Sequence, residues 1–122
     1  MGNILGREKM DTLIHEQIIH DPVVVYSKST CVNCTNAKRL LKSMQIPYAC
    51  YELNKISGGI QLSKALKEKT GCSTVPQIFI CGHFIGGYNE LYTLTCRGLL
   101  IPMVSECAKI RVRRSPEGCV PV

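Results

Sequence analysis

The stretch from Val23 to Met44 limits the possible folds of this chain more than any other. Val23, Val24, Val25 and Tyr26 form an apolar, largely β-branched run that reads as a buried strand. A short polar turn follows, with Ser29 and Thr30 as N-cap candidates, and then Ala37, Leu40, Leu41 and Met44 recur at helical spacing. The sequence Cys31-Val32-Asn33-Cys34 therefore sits where a strand hands over to a helix. Free backbone N–H groups and the positive end of the helix dipole stabilise a thiolate at such a place. Helix N-termini and neighbouring cations bring cysteine thiols from about 8.5 down to roughly 3.5–7.5, and Lys28 supplies a cation close in sequence. The two cysteines are not equivalent. Cys34 lies three residues before Ala37 and continues the apolar stripe inward, whereas Cys31 stays accessible at the helix mouth. Cys31 is the candidate nucleophile.

The flanking chain supplies the rest of an α/β domain. Met10, Leu13, Ile14 and Ile18 share one face of a first helix, closed by His20-Asp21-Pro22. Tyr48 to Leu53 reads as a second strand, parallel to the first because a helix-length crossover separates them. Leu62, Ala65 and Leu66 belong to a helix that Thr70-Gly71 stops. Gln77 to Cys81 and His83 to Gly86 form a hairpin about Gly82. In a closing helix, Leu100, Met103, Val104 and Cys107 share a face, and Pro102 falls in the first turn. The order α-βαβ-α-ββ-αα predicts a four-stranded mixed sheet with helices on both faces. Residues 1–110 make the domain. Residues 111–122, basic and punctuated by Pro116, Gly118 and Pro121, make a flexible tail.

Composition removes several function classes. At 122 residues and 45% hydrophobic content, the chain has room for one domain with a proper core. The opening residues lack the apolar core of a signal peptide, so the eight cysteines favour a reduced, cytoplasmic setting over a disulfide framework, with nucleus and mitochondrion left open. No apolar run reaches the roughly 20 residues that span a bilayer. The net charge of +6 is dispersed, without a zinc-finger, RNP-like or basic-zipper pattern, which disfavours a nucleic-acid partner. A structural zinc site needs four ligands, usually as a second close pair. The other cysteines are scattered, and Cys50, Cys81 and Cys107 read as buried hydrophobes. Neither the C-V-P-V ending at Cys119 nor the MGNILG opening fits a lipidation signal well.

Two further motifs bear on chemistry. Pro76, immediately before a strand, cannot donate to a ladder and belongs at its start. If the Val75–Pro76 bond is cis, it turns the Val75 backbone groups outward, free to pair with an extended peptide; otherwise Pro76 simply starts the strand. In Gly86-Gly87-Tyr88-Asn89-Glu90, two glycines permit close backbone approach, and the helix that follows offers N–H groups to a carboxylate.

Together YSKSTCVNC, TGCSTVPQIFI and FIGGYNEL, in this order and spacing, resemble the glutaredoxin family of dithiol type. The resemblance runs from about Met10 to Ile110, and MGN and RGLLIPMVSEC are most similar to the vertebrate glutaredoxin-2 branch. It implies a thioredoxin-like fold and a glutathione-dependent disulfide oxidoreductase acting on glutathionylated or disulfide-containing proteins. The roles it implies are nucleophile for Cys31, resolving thiol for Cys34, and a place near the thiolate and glutathione for Lys28. Val75 and Pro76 would then pair with the cysteinyl unit of glutathione, and Tyr88 and Asn89 would hold its γ-glutamyl end. The same resemblance admits a second reading, a [2Fe–2S] dimer with Cys31 as protein ligand and glutathione completing the set. A monomer is expected otherwise. Val32 and Asn33 stand where the family often has proline and an aromatic residue. Ser63 stands where it has a glutathione-contacting Gln or Arg, leaving Gln61, Lys64 or Lys67 as substitutes. Asn89-Glu90 replaces the more usual Ser, Thr or Asp followed by Asp.

Overall fold

The computed structural model of the chain describes residues 2–114, with side chains for residues 9–108. Its elements are α1 (Gly2–His20), β1 (Val23–Ser27), α2 (Val32–Ser43), β2 (Ala49–Glu52), α3 (Gly59–Thr70), β3 (Gln77–Ile80), β4 (His83–Gly86), α4 (Tyr88–Cys96) and α5 (Leu100–Arg114). The four strands form one mixed sheet in the order β2-β1-β3-β4, with β2 parallel to β1 and the other pairs antiparallel. This is the thioredoxin-like arrangement expected above.

The strand β1 is buried along its whole length, and its residues alternate between two cores. Val23 and Val25 enter a cluster with Ala37 and Leu41 of α2, Leu91 of α4 and Leu100 of α5. Val24 and Tyr26 enter the opposite cluster with Ile14 and Ile18 of α1 and Leu62 and Leu66 of α3. The Tyr26 hydroxyl avoids desolvation without a partner by donating to Gln17 Oε1 at 2.6 Å. The chain thus leaves β1 firmly anchored on both sides before it reaches Cys31.

Several expectations change. The helix α1 begins at Gly2, earlier than its apolar face suggested. Cys81 belongs to the hairpin turn rather than the strand. It has φ 50° and Gly82 has φ 83°, the two positive values that a two-residue type I′ connection requires. That turn presents Cys81 to Cys107 of α5, and the two are bonded, with Cα atoms 5.7 Å apart. They are a disulfide rather than two reduced, buried thiols. Cys50 is half-buried rather than a core hydrophobe. Its thiol donates to Glu52 Oε2 at 3.3 Å, and burial first, then that contact, pushes it up to about 11. The helix α5 continues through Arg114, past the boundary expected at 110. The remainder of the expected tail, with Cys119, lies outside the described residues.

Candidate active site

The turn after β1 is built by its neighbours. The Ser29 backbone N–H donates to Asn54 Oδ1 at 3.1 Å, and Asn54 Nδ2 donates back to Ser29 Oγ at 2.8 Å. With Ser29 so engaged, neither it nor Thr30 caps α2. Cys31 does: its backbone is extended, with φ −94° and ψ 125°, and its sulfur accepts from the Cys34 N–H at 3.3 Å. The nucleophile candidate therefore occupies the N-cap itself, where one of the unpaired amides of the first turn already points at the sulfur.

Exposure separates the pair as predicted. Cys31 is half-buried and Cys34 wholly buried. Burial above all, then the hydrogen bond with Cys31, pushes the Cys34 thiol up, against smaller pulls from the Lys28 amide and the Ser27 hydroxyl. Beside them Val32 is 74% exposed, a bare aliphatic surface at the mouth of the site.

Cys31 adjoins, through its contact with Val75, a groove of about 610 Å³ lined in part by Asn33, Val75, Pro76, Tyr88, Asn89 and Glu90. The Val75–Pro76 bond is cis, and the Cys31 thiol donates to the Val75 carbonyl at 3.6 Å. The loop before Pro76 is held from beneath by Gln77, which is only 3% exposed. Its Nε2 donates to the Cys72 and Thr74 carbonyls at 2.7 and 3.2 Å, and its Oε1 accepts from Thr70 Oγ1 at 3.0 Å. This saturated buried amide, absent from the sequence reading, fixes one wall of the groove.

The opposite wall is the start of α4. Gly86 has φ +119°, and a Cβ there would lie 2.7 Å from the Glu90 side chain, so only glycine fits without movement. Glu90 turns back to accept the Gly87 N–H at 2.8 Å. One of the amides expected to receive a ligand carboxylate is thus already paired, and a negative charge stands at the helix start. The N–H groups of the following residues, Tyr88 and Asn89, remain in the unpaired first turn.

Lys28 is not part of this groove. It lines a separate depression of about 600 Å³ with residues that include Asn54, Ile60, Gln61, Ser63 and Lys64. Cys31, Val75, Pro76, Tyr88 and Asn89 are brought together; Lys28 is attached to Cys31 through its backbone, accepting the Cys31 N–H at 3.0 Å. Of the three substitutes considered for the missing Gln or Arg, Gln61 and Lys64 share the Lys28 depression and Lys67 lies outside its lining.

The glutaredoxin family model matches residues 23–85. The mitochondrial glutaredoxin-2 of Pongo abelii is 42% identical over 94 residues, covering 77% of this chain and 58% of that protein. The chain thus spans less than two thirds of the length of that relative. Among solved structures, the holo form of glutaredoxin C1 from Populus tremula x tremuloides is similar at a TM-score of 0.81 and 35% identity, over 85% of this chain and 94% of that one. A buckwheat glutaredoxin–glutathione complex is similar at a TM-score of 0.81 and 32% identity, over 84% and 94%.

Proposed function

The chain belongs to the glutaredoxin family, and from that premise we propose that it is a glutathione-dependent thiol–disulfide oxidoreductase. The observation that carries this reading is the position of Cys31: an accessible N-cap sulfur, bonded by the Cys34 amide, at the edge of the Val75–Asn89 groove. The Cys31 thiolate attacks the glutathione sulfur of a protein–glutathione mixed disulfide. The protein leaves as a thiol, and Cys31 carries the glutathionyl group. A second glutathione thiolate then attacks that group, forming oxidised glutathione and restoring Cys31. In the dithiol route Cys34 expels glutathione instead, leaving a Cys31–Cys34 disulfide for later reduction.

Glutathione fits the two depressions in an extended pose. Val75 and Pro76 would take its cysteinyl backbone, Tyr88 and Asn89 the γ-glutamyl end, and Lys28 with Gln61 and Lys64 the glycine carboxylate. Asn89 is exposed, so its amide donates to a ligand carboxylate in a partly wet setting, worth about 1 kcal/mol. Asn89→Ala should raise the half-saturating glutathione concentration about fivefold, measured by steady-state reduction of a glutathionylated peptide. Equal affinity in the variant would place the γ-glutamyl end elsewhere, and turnover independent of glutathione would refute the reading as a whole. Such a cycle suits a reducing compartment such as the cytoplasm, and among the described residues no helix is long and apolar enough to cross a membrane.

The second reading, a glutathione-ligated [2Fe–2S] dimer, is favoured by the exposed Val32, which leaves the turn after Cys31 without a proline ring and with a bare apolar surface. Among the described residues no three His, Cys, Asp or Glu side chains gather to hold a metal. One chain offers a single accessible thiolate of the pair, so the fit requires two chains and two external thiols. The group would supply electron or cluster transfer when bound. Reconstitution with iron, sulfide and glutathione should give a coloured dimer that Cys31→Ser loses and Cys34→Ser keeps. A colourless monomer would remove this reading.

A further inference from the structure

Ser29, Thr30 and Cys31 precede α2, and the weakest acceptor of the three holds its N-cap. Serine and threonine hydroxyls are strong N-cap acceptors, whereas a cysteine sulfur accepts poorly. Yet the first helical bonds close on Cys31. Its carbonyl accepts the Thr35 N–H at 3.2 Å and its sulfur accepts the Cys34 N–H at 3.3 Å. Local preference alone would start the helix one or two residues earlier. Cys31 would then enter the first turn, away from the Val75 carbonyl that its thiol now meets.

A residue distant in sequence reverses that preference. Asn54 engages both polar groups of Ser29, accepting its N–H with Oδ1 at 3.1 Å and donating Nδ2 to its hydroxyl at 2.8 Å. The turn that follows is closed by the Cys31 N–H donating to the Lys28 carbonyl at 3.0 Å, which keeps Thr30 in the turn. Asn54 itself stands on a firm base. The preceding residue, Leu53, donates its N–H to the Ser27 carbonyl at 2.7 Å. Glu52 Oε1 accepts from Ser27 Oγ at 2.9 Å, and its Oε2 accepts from Lys38 Nζ at 2.6 Å. These bonds join β1, β2 and α2 at the foot of the loop that carries Asn54.

We infer that Asn54 is a positioning residue for the reaction: by engaging Ser29 it leaves the α2 N-cap to the Cys31 sulfur and so holds the nucleophile beside Val75. This rests on Cys31 being the nucleophile of the function proposed above. Asn54 acts through Ser29 and the Lys28–Cys31 turn. Two other roles are open to it. It lines the depression shared by Lys28, Gln61 and Lys64, so it could instead contact bound glutathione. It could also be a plain structural tie between two loops. A ligand contact changes the glutathione concentration needed, and a structural tie changes the melting point. Only a residue that assigns the cap changes the rate through its rivals for that position.

Asn54 is exposed, so its truncation to alanine opens no cavity, and a melting curve verifies that each variant is folded. In Asn54→Ala the freed hydroxyls compete for the cap, and the fraction of molecules with sulfur in that position sets the rate. The kcat for deglutathionylation of a peptide should fall about fivefold, the factor that one N-cap contact is worth. The half-saturating glutathione concentration should stay level. The Cys34 amide resonance of the reduced protein, recorded by NMR without glutathione, should move. Adding Ser29→Ala and Thr30→Ala removes both rivals, so this triple variant should recover most of the rate and the parent amide position. A rise in the half-saturating concentration alone would make Asn54 a ligand contact and overturn the inference. An unchanged kcat, an unmoved Cys34 amide, or a triple variant no faster than Asn54→Ala would overturn it equally. Turnover of the parent chain that ignores glutathione would refute the proposed function instead, and the Cys34 amide in the single and triple variants would still decide this step.

Discussion

Cys31→Ser is expected to lower glutathionyl transfer at least about a thousandfold while leaving the fold intact. A serine hydroxyl stays protonated at neutral pH and cannot replace the thiolate. Its oxygen is nevertheless among the preferred N-cap acceptors, so the Cys34 amide that now bonds the sulfur keeps a partner. The thermal midpoint should stay level or rise slightly. Cys34→Ser separates the two cycles. The amide at that position is backbone and survives the change, so transfer from a glutathionylated peptide should persist within a few-fold. Reduction of an intramolecular protein disulfide, which needs the second sulfur, should be lost. The measurement is transfer to and from a glutathionylated peptide beside a protein-disulfide assay, with a melting curve for each variant. Turnover by folded Cys31→Ser would sink the mechanism, because no other described thiol combines the helix mouth with the groove.

Loss of the Cys81–Cys107 bridge has the largest expected effect on stability. It closes a loop of sequence separation 26 between the hairpin turn and α5. Chain entropy alone assigns such a loop about 3.5 kcal/mol at 25 °C, a large part of the roughly 5–15 kcal/mol that holds a domain folded. Cys107→Ser, or dithiothreitol added to the parent chain, should lower the thermal midpoint by about 10–20 °C. Reductant should have little further effect on Cys107→Ser. Equal midpoints with and without reductant would show that the bridge adds nothing. Neither sulfur touches the groove, so glutathionyl transfer below the new midpoint should be unaffected.

The sequence carried the fold because its signals are local and agree. The β-branched run, the capped helix and the Gly82 hairpin each assign one element, and the parallel pairing follows from crossover length. It also separated accessible Cys31 from buried Cys34, since helical spacing reveals which residue turns inward. What it missed depends on contacts between distant segments. Ser29 lost the cap to Cys31 because Asn54, far along the chain, claims its polar groups. Cys81 and Cys107 each read as an ordinary apolar position, and nothing local says that a turn and a helix face will meet. Lys28 is close to Cys31 in sequence, yet it lines another depression. Ser27, Lys38 and Glu52 were invisible for the same reason: three unremarkable polar residues become one network only after β1, α2 and β2 are packed.

The alternation along β1 has a consequence for how this chain can change over time. Its odd- and even-numbered residues fill cores on opposite faces of the sheet, and Cys31 follows only four positions after Ser27. Exchanging one aliphatic residue for another in Val23–Val25 disturbs one core locally and leaves the frame unaltered. Inserting or deleting a single residue turns every side chain of the strand to the wrong core at once and advances or retards the thiol along the helix mouth. Length in this segment is therefore under far tighter restraint than composition. Insertions and deletions tolerated by the lineage should gather in connections away from β1, leaving the spacing from Val23 to Cys34 as the fixed ruler of the molecule.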